Sequence, residues 1–530
     1  MFAHVGDQGN QPGGIGLGHP EGIGAMVTTR HVISLLAVIV LCLVGCSTGR
    51  HVNLGDEASG SLIAAIAGEP DQLDPQKTSA YFSFEVLENV YDTLVEPDAD
   101  LEMRPALAES WDVSPDQLHW TFHLRKGVAF HDGSPFSADD VVYSYRRIID
   151  EKLSNSYRFS SVTAVDAIDP ATVRITVSKP TPNLLVNIGG FKGMAIVQRK
   201  NVESGAIATH PIGTGPFAFK AAKSGDSITL VVNKNYWGGA PAISGVTFRF
   251  IPEASTALSA LQASEIDWTD SIPPQRVDEL KGDDSITLGV TPSNDYWYLT
   301  LNEARPPWND VRVRQAIASG IDRGAIVQAT SYGTATANQL AIPAGSPWFT
   351  EYHRYSYDVD KAKELLAQAG VKNPTLDMMA TTEYPETVTA AQIIADNLAP
   401  LGITVKIRTV DFATWLDEQS KGNFDMLMMG WLGNIDPDDF YYNQHHTGAK
   451  SNAQKFSNID VDALLDSGRT ETNREVRKED YAKAATIIAD EVSYIYLYNP
   501  SVIQAWSKRL SNYAARRDGA VRFKTARLSS

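Results

Sequence analysis

Cysteine is nearly absent: the chain of 530 residues has two, Cys42 and Cys46, both close to the amino end. The body that follows therefore contains no disulfide framework and no cysteine-built metal site. Basic charge is in deficit as well, with 46 Lys and Arg against 63 Asp and Glu, a net charge of -17. A nucleic-acid partner needs a basic face to neutralise phosphates, so none is expected. Beyond Val44 no apolar run approaches the roughly 20 residues of a membrane-spanning helix. Catalytic signatures are missing too. There is no His-Glu-x-x-His, no Gly-x-x-x-x-Gly-Lys and no Gly-x-Ser-x-Gly elbow set between a strand and a helix. Gly14, Gly16 and Gly18 are spaced like part of a dinucleotide fingerprint, but no strand precedes them. His445 and His446 are adjacent and point apart in any regular element, so no metal is expected there, and no cofactor is expected anywhere.

What is present begins at Met26. Arg30 and His31 precede the apolar run Val32 to Val44, which has signal-peptide length and ends in Leu43-Val44-Gly45-Cys46. This is similar to a bacterial lipobox, in which Cys46 becomes the lipidated mature N-terminus. Residues 1–46 are thus read as leader and signal peptide, with Met26 a second candidate start, and 47–60 as a flexible tether. With 43% hydrophobic residues, the remaining length is enough for two or three domains with real cores.

Short β-branched runs at Ser61–Gly68, Trp120–Leu124, Val173–Val177 and Ile228–Val232 predict strands. Ser137 and Asp140 form a capping-box pattern before a helix whose Val141, Val142, Tyr145, Ile148 and Ile149 share a face. Later, Leu376–Thr381, Ile403–Val410 and Asp425–Trp431 alternate with two helical patterns, one of them stopped by Gly402. That order predicts an α/β lobe, with Met426–Met429 a parallel strand covered on both faces. Ligands in open α/β sheets sit beyond the strand carboxyl ends. The loop Gly430-Trp-Leu-Gly-Asn-Ile-Asp-Pro-Asp-Asp-Phe440 offers an aromatic plate, an amide and acids at such a place.

Several ordered motifs carry a resemblance. They are Leu73-Asp-Pro75, Pro105-Ala-Leu-Ala-Glu-Ser-Trp-Asp112, Trp120-Thr-Phe-His-Leu-Arg-Lys-Gly-Val128, His131-Asp-Gly133, Pro211-Ile-Gly-Thr-Gly-Pro-Phe217, Asn235-Tyr-Trp237, Asp310-Val-Arg-Val-Arg-Gln-Ala316 and Ile321-Asp-Arg323. The chain resembles the family 5 extracytoplasmic solute-binding proteins of ABC importers. The resemblance implies a type II, two-lobed periplasmic-binding-protein fold with a ligand cleft between the lobes. Lobe 1 would span 61–294 plus 500–530, with an extra subdomain at about 81–207, and lobe 2 would span 295–499. It further implies a monomeric, non-enzymatic, lipid-anchored binding component on the extracytoplasmic face of the membrane, delivering an oligopeptide-like solute to an ABC permease. A metal chelate, siderophore, haem or glycoside is the alternative solute, and an exported hydrolase using the acids at Asp436 to Asp439 is the rival class.

The candidate ligand-binding residues are Tyr81, Phe82, Tyr296, Trp297, Glu383, Tyr384, Trp431, Asn434 and Asp436. In peptide-binding members of the family, an Asp in the loop after the Gly-Trp strand holds the free amine. The matching position here is Asn434, unless Asp436 replaces it. The Arg that dipeptide binders use for the carboxylate has no counterpart in Met379–Tyr384.

Overall fold

The computed structural model describes residues 60–190 and 192–529. The expected signal peptide, Cys46 and nearly all of the expected tether therefore lie outside the described residues. Two large sheets organise the body. The first has seven strands in the order Ile286–Pro292, Ser501–Ser507, Trp268–Thr269, Leu62–Ile66, Gly245–Phe250, Ser227–Val232 and Phe217–Lys223. Its centre is parallel, with Leu62–Ile66 paired to both Gly245–Phe250 and Trp268–Thr269. Leu62–Ile66 is apolar throughout and largely buried, whereas Gly245–Phe250 alternates, with Val246 and Phe248 buried and Thr247 and Arg249 partly exposed.

The second sheet has six strands, in the order Thr336–Ala337, Tyr494–Asn499, Tyr296–Leu301, Met426–Trp431, Thr375–Thr381 and Thr404–Val410. Met426–Trp431 runs parallel to Thr375–Thr381 but antiparallel to Tyr296–Leu301, so the lobe is mixed rather than parallel throughout. The apolar run at Met426 reports burial on both faces. The expected parallel pairing is found on the Thr375–Thr381 side, and the antiparallel neighbour Tyr296–Leu301 is what the run does not report.

A four-stranded antiparallel sheet, Ala108–Val113, His119–Leu124, Thr172–Val177 and Val162–Asp169, forms the subdomain with the helix Ala138–Asp150. Asp140 accepts from the Ser137 backbone N–H at 2.9 Å, which closes the expected capping box. Val141, Tyr145 and Ile148 on that helix are buried against the subdomain sheet.

The chain passes from the first sheet to the second between Pro292 and Tyr296, and returns between Asn499 and Ser501. The two crossings are tied together. Ser293 donates its N–H (3.0 Å) and its hydroxyl (2.8 Å) to the Pro500 carbonyl, and the Asn499 amide donates to the Asp295 carbonyl at 2.8 Å. A pair of short, bonded crossings lets two rigid bodies rotate without unfolding either.

Candidate functional site

The loop after Met426–Trp431 sits at the crossings. Gly433 has φ of 68°, which a side chain would oppose, and its N–H donates to Asp295 Oδ1 at 2.8 Å. The Asn294 amide donates to the Asn434 carbonyl at 3.0 Å. Burial pushes the Asp295 carboxyl up to about 6. The loop then enters the helix Pro437–His445. Asp436 caps it by accepting from the Asp438 N–H at 3.0 Å, with Pro437 in the first turn.

Asp436 is not a free carboxylate. Both its oxygens receive the Arg477 guanidinium, at 2.5 and 2.7 Å, in a pair almost wholly removed from water. Asn434 is buried, and no hydrogen bond reaches its Nδ2. Trp431 is half-buried against the core of the second lobe, opposite Tyr296 in the strand register.

The other expected residues lie outside that loop, although Tyr296 and Trp297 pair with the strand that feeds it and Trp297 meets Tyr384 edge-on. Tyr296 is 1% exposed and stacks on Phe440, and Trp297 stacks on Tyr498, so both belong to the core of the second lobe. Tyr384 packs edge-on against Phe412, while Glu383 is exposed and accepts from the Thr381 hydroxyl. Tyr81 and Phe82 lie in the first lobe, where Tyr81 reaches the Gly519 carbonyl at 3.4 Å and Phe82 covers Gly68. The structure therefore joins Trp431, Asn434 and Asp436 in one loop and leaves the remaining six elsewhere.

A cavity of about 210 Å³ opens where the subdomain meets the second lobe. The subdomain contributes Tyr157, Arg158, Ser160, Ser161, Lys179, Thr181, Asn183 and Asn187, and the second lobe contributes Asp438, Asp439, Asn443 and Arg469. Its chemistry is hydroxyl, amide and charge. Asp438 is held by Arg469 (3.2 Å) and by the Tyr481 hydroxyl (3.1 Å), and burial raises its carboxyl to about 6. Arg469 lies over the Tyr442 ring at 3.7 Å. Asp439 faces Arg158 across the gap at 3.8 Å. Gly190 adds a close approach between the bodies, since a Cβ there would come 3.1 Å from Ile435.

None of the cavity residues is among the expected binding residues, although Asp438 and Asp439 stand in the acidic run that the hydrolase reading invokes. Local sequence carries no sign that Tyr157–Arg158 meets Asp439; only the tertiary fold joins them. His445 is fully buried between Ser493 (2.9 Å) and Tyr496 (3.0 Å), and burial lowers its imidazole to about 3.

With this geometry in place, comparisons with known proteins are specific. The model described as "Bacterial extracellular solute-binding proteins, family 5 Middle" matches residues 102–452. "Heme-binding protein A" of Haemophilus influenzae is 29% identical over 466 residues, covering 80% of this chain and 84% of that protein. The "Dipeptide-binding protein" of Escherichia coli is 28% identical over 492 residues, covering 86% and 92%. Among solved structures, the periplasmic binding protein DppA of Helicobacter pylori in complex with the peptide STSA matches with a TM-score of 0.78 at 28% identity. It covers 89% of this chain and 99% of that one.

Proposed function

The chain belongs to the family 5 bacterial extracellular solute-binding proteins, and from that premise we propose that it captures an oligopeptide-like solute between its lobes and hands it to an ABC permease. In this reading it is held at the extracytoplasmic membrane face by a lipid on Cys46. The observation that carries it is the composition of the cavity: polar side chains from the subdomain and from the second lobe line one space. Contacts from both bodies exist only when the lobes are together, so a solute that uses them shifts an open-to-closed equilibrium. Amides and hydroxyls such as Asn183, Asn187, Asn443 and Ser160 suit a ligand rich in peptide groups.

Commitment of Asp436 to Arg477 and the presence of Asn434 leave neither expected anchor position with a free carboxylate for a peptide amine. This favours longer or modified peptides, or a non-peptide solute, over dipeptides. Native mass spectrometry of the purified protein is expected to show a bound solute containing amide bonds, released on unfolding. A protein that carries no solute and whose melting temperature is unmoved by tri- to pentapeptides would overturn the peptide reading.

A further inference from the structure

Arg158 is the one cavity-lining group whose bonding is conspicuously incomplete. Its side chain is 12% exposed, its Nε has no hydrogen-bond partner, and its nearest carboxylate, Asp439, stands 3.8 Å away. An arginine paired with a carboxylate ordinarily sits at about 2.7–2.9 Å with two parallel bonds, and 3.8 Å is too long for any hydrogen bond. The Tyr157 ring lies 5.4 Å from the guanidinium, and its hydroxyl accepts a hydrogen bond from Arg158, a neutral partner weaker than a carboxylate. Arg469, by contrast, is already spent on Asp438. Lys179 adds a second cation to the subdomain wall. The subdomain side of the cavity is thus locally positive in a chain whose net charge is -17.

We propose that Arg158, with Lys179, forms an oxyanion subsite that selects solutes carrying a carboxylate or a phosphate. The guanidinium fork is desolvated and planar, and it is held only by the neutral Tyr157 hydroxyl and the distant Asp439, so an entering oxyanion gains charge-assisted bonds in exchange for weaker contacts. Asp439 keeps its other role at the helix start, where its Oδ2 accepts from the Asp436 N–H at 3.4 Å, and need not move. Because the group lies on the subdomain and its counter-wall on the second lobe, an oxyanion here is gripped only on closure. The proposal rests on the cavity being the solute site. It adds a charge requirement that the peptide reading alone does not make.

The test is calorimetric titration of the wild-type protein, R158Q and K179Q with four probes: tetraalanine, tetraalanine amide, succinate and inorganic phosphate. At least one oxyanion probe should bind the wild type, lose tenfold or more in R158Q and lose about threefold in K179Q, while tetraalanine amide is not weakened. Lys179 is exposed, so K179Q carries the test if R158Q does not fold. If tetraalanine and its amide bind alike and neither variant differs from wild type, the subsite falls and the peptide reading stands. If succinate or phosphate binds through Arg158 while neither peptide binds, the subsite stands and the peptide reading falls. Binding of no oxyanion probe overturns the subsite outright.

Discussion

Asp74 and Arg147 show what the residues of the family motifs do. Asp74, from Leu73-Asp-Pro75, receives two bonds from Arg147 at 2.6 and 3.1 Å, with Gln76 completing a network buried from solvent. Arg314 and Arg323, in the motifs around 310–323, likewise donate to backbone carbonyls inside the second lobe, including those of Glu491 and Tyr496. In Pro211–Phe217 a Cβ on Gly213 would come 2.1 Å from the Val90 carbonyl, so only glycine fits there. These residues brace the frame. Removing one partner of a buried pair leaves an uncompensated charge, at about 3–5 kcal/mol. Arg147→Ala should therefore lower the urea midpoint by that order while solute affinity, measured on the folded fraction, stays within about twofold of wild type. A second residue makes a pH prediction. His445 is held neutral by burial, with its imidazole at about 3 rather than the ordinary value. Below about pH 6.5 the unfolded chain takes up a proton that the folded chain refuses, at up to about 1.4 kcal/mol per unit. Stability from this group is complete above that pH and is lost as the pH falls toward 3. Asp438, raised to about 6, titrates with the opposite sign, so the useful quantity is the difference between wild type and His445→Gln. That difference should shrink steadily between pH 6.5 and 4 in denaturant titrations; a pH-independent difference would assign His445 no such role.

Among the elements, the hinge loop repays a direct test. Asn434 sits where its peptide-binding relatives are expected to present a carboxylate, and its Nδ2 is unbonded. Asn434→Asp preserves shape and adds the charge. A charged hydrogen bond contributes about 1.5–3 kcal/mol, so a free-amine tripeptide should gain roughly tenfold to a hundredfold while its N-acetylated form does not. Equal response of the two peptides would place Asn434 away from the amine. The same loop shows where sequence stops informing. Its strand was legible, and so was the helix stop at Gly402; the helix Pro437–His445 was not, since its Asp436 cap and the acids after it look equally like loop groups facing a ligand. The partner of Asp436 was not legible, because Arg477 lies on another helix, Arg474–Asp490, and nothing local links the two. The packing of the aromatic runs was hidden for a related reason. Tyr296 and Trp297 look like a cleft lining by composition, yet in a strand paired on both sides their rings are taken up by Phe440 and Tyr498. The antiparallel partner of Met426–Trp431 was hidden similarly, since burial on both faces removes the alternation that would have marked it.

For the whole molecule the question is what holds the lobes together. Among the described residues, direct ties across the gap include the exposed Arg474–Glu102 pair at 2.9 Å, the long Arg158–Asp439 pair and the Arg517 bond to the Gly345 carbonyl at 3.0 Å, and beside the crossings the Ser501 hydroxyl donates to the Thr334 carbonyl at 2.6 Å. An exposed ion pair contributes about 0–1 kcal/mol and is screened by salt. The ties at the crossings are short and internal, and they act as a pivot rather than a latch. Closure without solute is therefore weakly favoured at most, and under the proposed function a solute in the cavity would supply the difference through contacts with both bodies. Shifting a population from mostly open to mostly closed takes several kcal/mol of differential affinity, more than the exposed pair can contribute. Small-angle scattering should accordingly give a smaller radius of gyration for the solute-saturated protein than for protein stripped of solute by unfolding and refolding. Arg474→Ala should leave both values unchanged and alter affinity by less than about fivefold, because an exposed pair is all that it removes. A radius that does not respond to solute, or an Arg474→Ala protein that no longer closes, would mean that surface charge rather than the cavity drives the two lobes together.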